Sequence, residues 1–394
     1  MLAVLLQQQG IQVQVLEASD KLDEQPRACH YSGPAKYELQ RAGVLDKICA
    51  EGFFPDGVTW RTKAGSAIVG LDGSGELETS INRIVCLELG RVIQILYDTA
   101  ISHGNCQVLM KHMVTSSIGQ SKTCAWVDVK VPSGETVKFE ADYIVGCDGA
   151  NSQMRRALFG DRNFPGWTWD QQIIASNVYY PFEDFGFNDS NFIVHPTEWY
   201  MAAKISKDGM WRVTYGDISG LTKEEYAERL PMRFKQILPT GFNPEFLRVA
   251  NIGPYKMHQR LAESMRIGRF LLAGDAAHLC NPFGGYGLTS GIADVGCLYD
   301  ALVGIKRGLA DESILDKYSD IRSEKYRTIV DPMSTAGFRR LWEKNPETTI
   351  AEDEFFELLR KVSGDEKQLR QLRQGAMALR YDLTEFYREE VVQA

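Results

Sequence analysis

The chain has 394 residues, 44% hydrophobic and 24% charged, with 35 glycines and 14 prolines, enough apolar material for two or three packed units. That composition excludes a disordered, collagen-like or coiled-coil protein. The net charge of −8 argues against a nucleic-acid partner, and no apolar run approaches the ~18 residues of a membrane span. In chain order, Leu2, Leu5 and Leu6 lead to Gly10, a residue type that closes helices, and Ile11–Leu16 reads as a buried parallel strand ending at the acid Glu17. The sequence thus opens within a helix that feeds a second strand, with no first strand ahead of it. Leu39–Ile48 and Leu87–Thr99 carry helical periodicity, separated by a glycine-rich stretch of short strands over 52–78. Alternation over Gln107–Val131, a hairpin turn at Pro132–Glu135 and the apolar run Tyr143–Gly146 lead into Cys147–Asp148–Gly149–Ala150. Aromatic-rich strands at Asn177–Phe182, Asn191–Pro196, Tyr200–Ser206 and Met210–Gly216 form a separate antiparallel sheet. Leu221–Leu238 is helical, Arg269–Gly274 is another buried strand, and a long helix starts near Leu288. From Asp311 the pattern is helical and charged. Glu352–Arg388 reads as a solvated amphipathic surface, with a homodimer contact the lesser reading.

The most specific stretch is Gly268–His278, with Gly274–Asp275–Ala276–Ala277–His278 at its end, continuing through Asn281–Pro282–Phe283–Gly284–Gly285–Tyr286–Gly287–Leu288. A buried strand ends in Gly-Asp, and a glycine-rich loop then opens a helix. Such a loop suits a polyol or phosphate: Asp275 can accept from hydroxyls, while loop N–H groups and the helix N-terminus favour an anion. A second element is Asp148–Gly149–Ala150–Asn151–Ser152, continuing through Arg155–Arg156. A third is Pro26–Arg27–Ala28 ahead of Leu39–Val44, and a fourth is Arg260–Leu261–Ala262 before Arg266–Arg269.

In these motifs and their order the sequence resembles the class A flavoprotein monooxygenases, the para-hydroxybenzoate hydroxylase-like family, over nearly its whole length. The resemblance implies an α/β chain with one Rossmann-like FAD-binding domain, split over 1–165 and 253–310. An antiparallel-sheet substrate domain would span 166–252, and a helical C-terminal segment 311–394. It implies that Gly274, Asp275, Pro282, Gly284, Gly285, Gly287 and Leu288 hold the ribityl chain and the flavin ring. Arg27 and His30 would sit along the flavin edge, and Asp148 between FAD and the path of NAD(P)H. Glu17 fits the acid that closes the second strand of a dinucleotide fold and binds the adenosine ribose.

One family feature is missing from the sequence. The G-x-G-x-x-G loop and its strand should precede the ribose acid by ~20 residues, and Glu17 leaves no room for them. Cys29 also stands where the family pattern has a glycine, and Leu89 where it has a flavin-contacting glutamine. Two expectations follow: a gap between Ile11–Leu16 and Tyr143–Gly146, and FAD whose adenosine-pyrophosphate half is held weakly or not at all.

The implied function is an oxidoreductase: FAD-dependent hydroxylation or epoxidation of an aromatic or polyketide-like small molecule of secondary metabolism, with NAD(P)H as reductant and O2 as oxidant. The alternative is a cofactor-independent cyclase or rearrangement enzyme on the same fold, with His195, Tyr200, Arg212 and Tyr215 as its acid–base groups. Those four are the catalytic candidates, although alternation alone does not say which strand face lines the pocket. The six histidines show no metal-ligand spacing, so no metal is assigned. Eight cysteines without CxxC or CxxH spacing read as reduced core residues of a cytoplasmic protein, and Met1–Gln9 lacks the basic flank of a signal peptide. Ser32 and Ser290 lack a GxSxG elbow, which disfavours a serine hydrolase.

Overall fold

The structure, a computed structural model, describes residues 1–23, 29–73, 75, 77–239, 241–343 and 346–388. Arg27, assigned above to the flavin edge, lies outside the described residues. Helix α1 (Leu2–Gln7) ends ahead of Gly10, whose φ of +72° reverses the chain into β1 (Val13–Glu17). Three short elements follow: β2 (His30–Tyr31), α2 (Gly33–Arg41) and α3 (Leu45–Glu51). The single helix expected over Leu39–Ile48 is therefore two, because Gly43 between them takes a φ of +72°. Next come β3 (Gly57–Thr62), β4 (Ala67–Asp72), β5 (Val85–Cys86), α4 (Leu89–Ser102) and β6 (Cys106–Met110).

β1 and β6 pair in parallel, with Val13 opposite Cys106 and Glu17 opposite Met110. The meander β7 (Met113–Gln120), β8 (Ala125–Lys130) and β9 (Thr136–Ala141) is antiparallel, turning at Pro132–Glu135 as expected. β10 (Ile144–Gly146) then runs parallel to β17 (Phe270–Leu272), which pairs with β16 (Arg266–Ile267). Among the described residues β1 bonds only to β6 and β10 only to β17, so the two sets of parallel strands belong to separate sheets. Their edges leave backbone donors and acceptors without a ladder partner.

The second layer is an eight-stranded sheet in the order β18–β15–β11–β14–β13–β12–β3–β4. It is built from β11 (Gly166–Tyr179), β12 (Ser190–Val194), β13 (Tyr200–Lys204), β14 (Met210–Asp217), β15 (Arg248–Leu261) and β18 (His278–Leu279), with β3 and β4. Two features differ from the sequence reading. The sheet is mixed, because β12 lies parallel to β3. It also extends beyond 166–252, taking strands from both flanking segments, and β11 and β15 pair over most of their lengths. Helix α5 (Gln153–Phe159) follows β10, and α6 (Lys223–Ile237) covers one sheet face with Tyr226, Leu230, Phe234 and Ile237, all buried. A capping box at Thr222 and Glu225 starts α6.

Helix α7 (Tyr286–Lys306) is the core helix, packed against α1, α2 and α8 (Ile314–Lys325). Its length and apolar composition would suffice to cross a membrane, but 72% of its most apolar window is buried inside the protein, where its apolar surface already has partners. The C-terminal segment continues with α9 (Asp331–Trp342), α10 (Pro346–Glu352), α11 (Glu354–Val362) and α12 (Glu366–Gly375). The solvated surface expected for Glu352–Arg388 holds for α12, which buries nothing. It fails for α11, whose Phe356, Leu359 and Val362 are buried; Phe356 and Leu359 join the core between α9 and the large sheet.

Candidate functional site

The strand β17 runs into the turn Ala273–Gly274–Asp275, where Gly274 has a φ of +61°. Helix α7 crosses this turn so closely that a Cβ on Gly291 would lie 3.2 Å from Gly274 Cα. The turn is fixed from below by Asp294 of α7. Asp294 Oδ2 accepts from the Gly274 backbone N–H at 2.9 Å and lies 2.7 Å from His278 Nε2; Asp294 Oδ1 accepts from Arg322 Nε at 2.7 Å. Burial alone would raise the Asp294 pKa, but the His278 and Arg322 charges and hydrogen bonds outweigh it and hold the carboxyl below its ordinary range. Arg322 also donates to the Leu379 carbonyl at 2.6 Å, so the C-terminal segment clamps the same network. Asp275 itself is exposed at the tip of the turn.

Beyond it the loop is held on one side and open on the other. Asn281 N–H donates to Gln259 Oε1 at 2.7 Å, and Asn281 Oδ1 accepts from Phe283 N–H at 3.0 Å. Pro282 is half-buried, whereas Gly284 and Gly285 are exposed, with φ of +141° and +71°. Gly285 is the N-cap of the 21-residue α7, with no side-chain cap hydrogen bond and no acid in the first turn. A Cβ on Gly285 would meet nothing within 4 Å, and one on Gly287 only Cys280 Sγ at 3.8 Å. Leu288 turns inward against the N-terminal core. Uncapped N–H groups at the positive end of a long helix therefore face open space, a fit for an electron-rich ring edge or an anion.

The DG motif is tied to this loop through Arg155. Ser152 caps α5, its Oγ accepting from Arg155 N–H at 2.9 Å, and Asp148 braces the cap: Oδ1 accepts from Ser152 Oγ at 2.5 Å and Oδ2 from Met154 N–H at 3.0 Å. Gly149, at φ +77°, again has open space at its Cβ position. Arg155 donates to the carbonyls of Ala150 at 2.8 Å and Ala276 at 3.0 Å, so the two motifs hold each other in register. Glu17 closes β1 as expected, with Oε1 accepting from Ser19 N–H at 2.7 Å.

The large sheet resolves the face that alternation left open, and it separates the four catalytic candidates. Tyr200 and Tyr215 lie opposite each other on β13 and β14, on the face that α6 covers; Tyr215 meets Phe234 edge-on at 5.8 Å. Both are core residues, and burial pushes both hydroxyls well above their ordinary range. His195 caps a turn, its Nδ1 accepting from Glu198 N–H at 3.0 Å. Only Arg212 faces the cofactor-binding half. Its Nε donates to Asn177 Oδ1 at 3.0 Å, on the face shared with Thr214 and Gly216. The proposed quartet therefore lines no common cavity.

Two groupings were not read from the sequence. On the face of Arg212, Phe283 of the flavin-type loop stacks on Phe338 at 4.7 Å, with Trp199 edge-on to both and Trp169 edge-on to Phe338. Trp169 Nε1 is buried there without a hydrogen-bond partner among the described residues. Phe338 comes from the C-terminal helices, whose role only the tertiary fold reveals. The second grouping is Cys29, His30 and Cys86. The β2–β5 pairing sets His30 opposite Cys86, and Cys29 Sγ lies 3.2 Å from His30 Nδ1.

Residues 1–332 match the family described as FAD binding domain. The chain is 33% identical over 355 residues to a para-nitrophenol 4-monooxygenase of Pseudomonas sp. (strain WBC-3), covering 90% of this chain and 87% of that protein. It is also 33% identical over 347 residues to 6-hydroxy-3-succinoylpyridine 3-monooxygenase of Pseudomonas putida (strain DSM 28022 / S16), covering 87% and 86%. The crystal structure of a p-nitrophenol 4-monooxygenase from Pseudomonas putida DLL-E4 superposes with a TM-score of 0.88 at 30% identity, over 96% of this chain and 94% of that one.

Proposed function

The chain belongs to the FAD-binding family of aromatic monooxygenases, and on that premise we propose that it hydroxylates an aromatic ring that already carries an ionisable hydroxyl. The observation that carries this reading is a guanidinium on the sheet face that also packs the aromatic cluster. Arg212 sits near Asn177 on the face that also holds Trp199, and Phe283 brings the loop at the start of α7 against that aromatic cluster. A flat apolar ring is favoured by the aromatic walls, and its phenolate oxygen by the guanidinium. The relatives named for para-nitrophenol and for a hydroxylated pyridine act on rings of this chemistry.

FAD, the cofactor of this family, supplies two-electron transfer and O2 activation when bound. The chain's own part is to position it. The uncapped N–H groups of Gly285–Leu288 would meet the electron-rich ring edge, Asp275 the ribityl hydroxyls, Asp148 the other side of the cofactor and Glu17 the adenosine ribose. The aromatic cluster keeps water from the reacting ring. NAD(P)H is the proposed reductant, in keeping with a cytoplasmic protein. A homodimer through the C-terminal helices remains a lesser part of the same reading. The cofactor-free cyclase is not favoured, because the relatives are monooxygenases and its four acid–base groups do not converge. The test is a panel of phenols and hydroxypyridines, each compared with its O-methyl ether. Product from the free hydroxyl compounds and none from the ethers supports the reading; equal turnover of both overturns it.

A further inference from the structure

We infer that Cys29 and Cys86 form a peroxide-responsive thiol pair, which closes to a reversible disulfide through a sulfenic acid on Cys29. The pair is created by topology: β2 and β5 are only two residues long, and their antiparallel bridge sets His30 opposite Cys86, with Leu87 N–H donating to the Cys29 carbonyl at 2.9 Å. Both sulfurs and one ring nitrogen of His30 lie within 4.8 Å of one another. His30 Nε2 is buried without a hydrogen-bond partner among the described residues, so the ring's polar contact is directed at Cys29.

The electrostatics of the pair are asymmetric. Hydrogen bonding from Cys86 opposes the cost of burial and, with His30 and Arg212, holds the Cys29 thiol well below its ordinary range. Burial pushes the Cys86 thiol up, so it stays protonated beside the Cys29 thiolate. A thiolate next to an imidazolium is a nucleophile, and a second thiol beside it can resolve the oxidised form. A cavity of about 220 Å3 reaches the pair from the Cys86 side, where Cys86 lines it with Gly52, Phe53, Leu87, Ile205 and Ser206. Hydrogen peroxide, little larger than the water that such a cavity admits, fits it.

The chemistry balances with hydrogen peroxide as the oxidant. The Cys29 thiolate attacks one peroxide oxygen; the S–O bond forms, the O–O bond breaks, and the departing oxygen takes a proton from the His30 imidazolium and leaves as water. Sulfur gives up the two electrons that peroxide gains. Cys86 sulfur then attacks the sulfenic sulfur; the S–S bond forms, the S–O bond breaks, and the departing hydroxide takes the Cys86 proton and leaves as a second water, while His30 regains its proton from solvent for the next cycle.

The test uses the full chain loaded with FAD, treated with a small excess of hydrogen peroxide, alkylated under denaturing conditions and digested with trypsin. The expected product is a cross-link between peptides Ala28–Lys36 and Ile84–Arg91, lost on treatment with dithiothreitol. Cys29→Ser should leave Cys86 alkylatable, and His30→Asn should slow cross-linking about tenfold at neutral pH. Sulfinate on either cysteine without a cross-link, or both peptides still fully alkylated after peroxide, would overturn the inference. So would thiols in the untreated protein that react only after a chelator strips a bound metal ion.

Discussion

The Gly274 backbone N–H donates to Asp294 Oδ2 at 2.9 Å, so the turn that ends β17 is held by a carboxylate twenty residues further along the chain. That carboxylate is wholly buried, and so is the guanidinium of Arg322 on its other oxygen. A buried charge left without its partner is costly, so Asp294→Asn should destabilise the fold by about 3–5 kcal/mol. The folded carboxyl lies below its ordinary range, so its contribution is present above the unfolded value of ~3.9 and is lost as pH falls through the folded one. Urea unfolding of both proteins should therefore show a large difference at neutral pH that narrows on acidification below pH ~4. A difference unchanged down to the acid limit would show that Asp294 acts by shape and not by charge.

Gly285→Val should weaken FAD binding by more than its modest destabilisation of the apo chain explains. The substitution puts a β-branched residue at a φ of +71°, a cost of about 1–2 kcal/mol, and fills space that the cofactor ring edge would use. Asp275→Ala should add a further loss of about tenfold by removing an acceptor for the ribityl hydroxyls. Flavin fluorescence titration reads both. Unchanged affinity in the two variants would place FAD elsewhere.

Tyr200→Phe and Tyr215→Phe should leave turnover within about twofold of the parent, and they should not lower stability. Each hydroxyl is buried under α6 without a hydrogen-bond partner among the described residues, and removing an unsatisfied group costs little. Arg212→Met should instead lower kcat/KM for a phenolic substrate by roughly 10–100-fold, the worth of a hydrogen bond to a charged group. A tyrosine variant that loses turnover as Arg212→Met does would return these rings to the site.

The motif-bearing parts of the site were legible because each sits where a strand meets a turn. Gly274–Asp275, Asp148–Gly149 and Glu17 all appear at the predicted strand ends, since a Gly-Asp pair after an apolar run leaves few conformations open. The sheet face of Arg212 was not legible. It depends on α6 covering the opposite face, which no local pattern states. The Asp294–Arg322 clamp was hidden for a related reason: each residue looks like an ordinary helix charge until α7 and α8 pack. Phe338 and Cys86 reach their clusters through contacts between segments far apart in sequence.

The central claim is that oxygenation by this chain runs through FAD held at the Gly274–Leu288 loop. It is tested most directly by following O2 uptake, NAD(P)H oxidation and hydroxylated phenol together, in the FAD-stripped protein with and without added FAD. The account predicts no product without FAD, and with FAD a product that tracks O2 and reductant and that needs about tenfold more FAD in Asp275→Ala. Product formed by the stripped protein, or under anaerobic conditions without reductant, would contradict it.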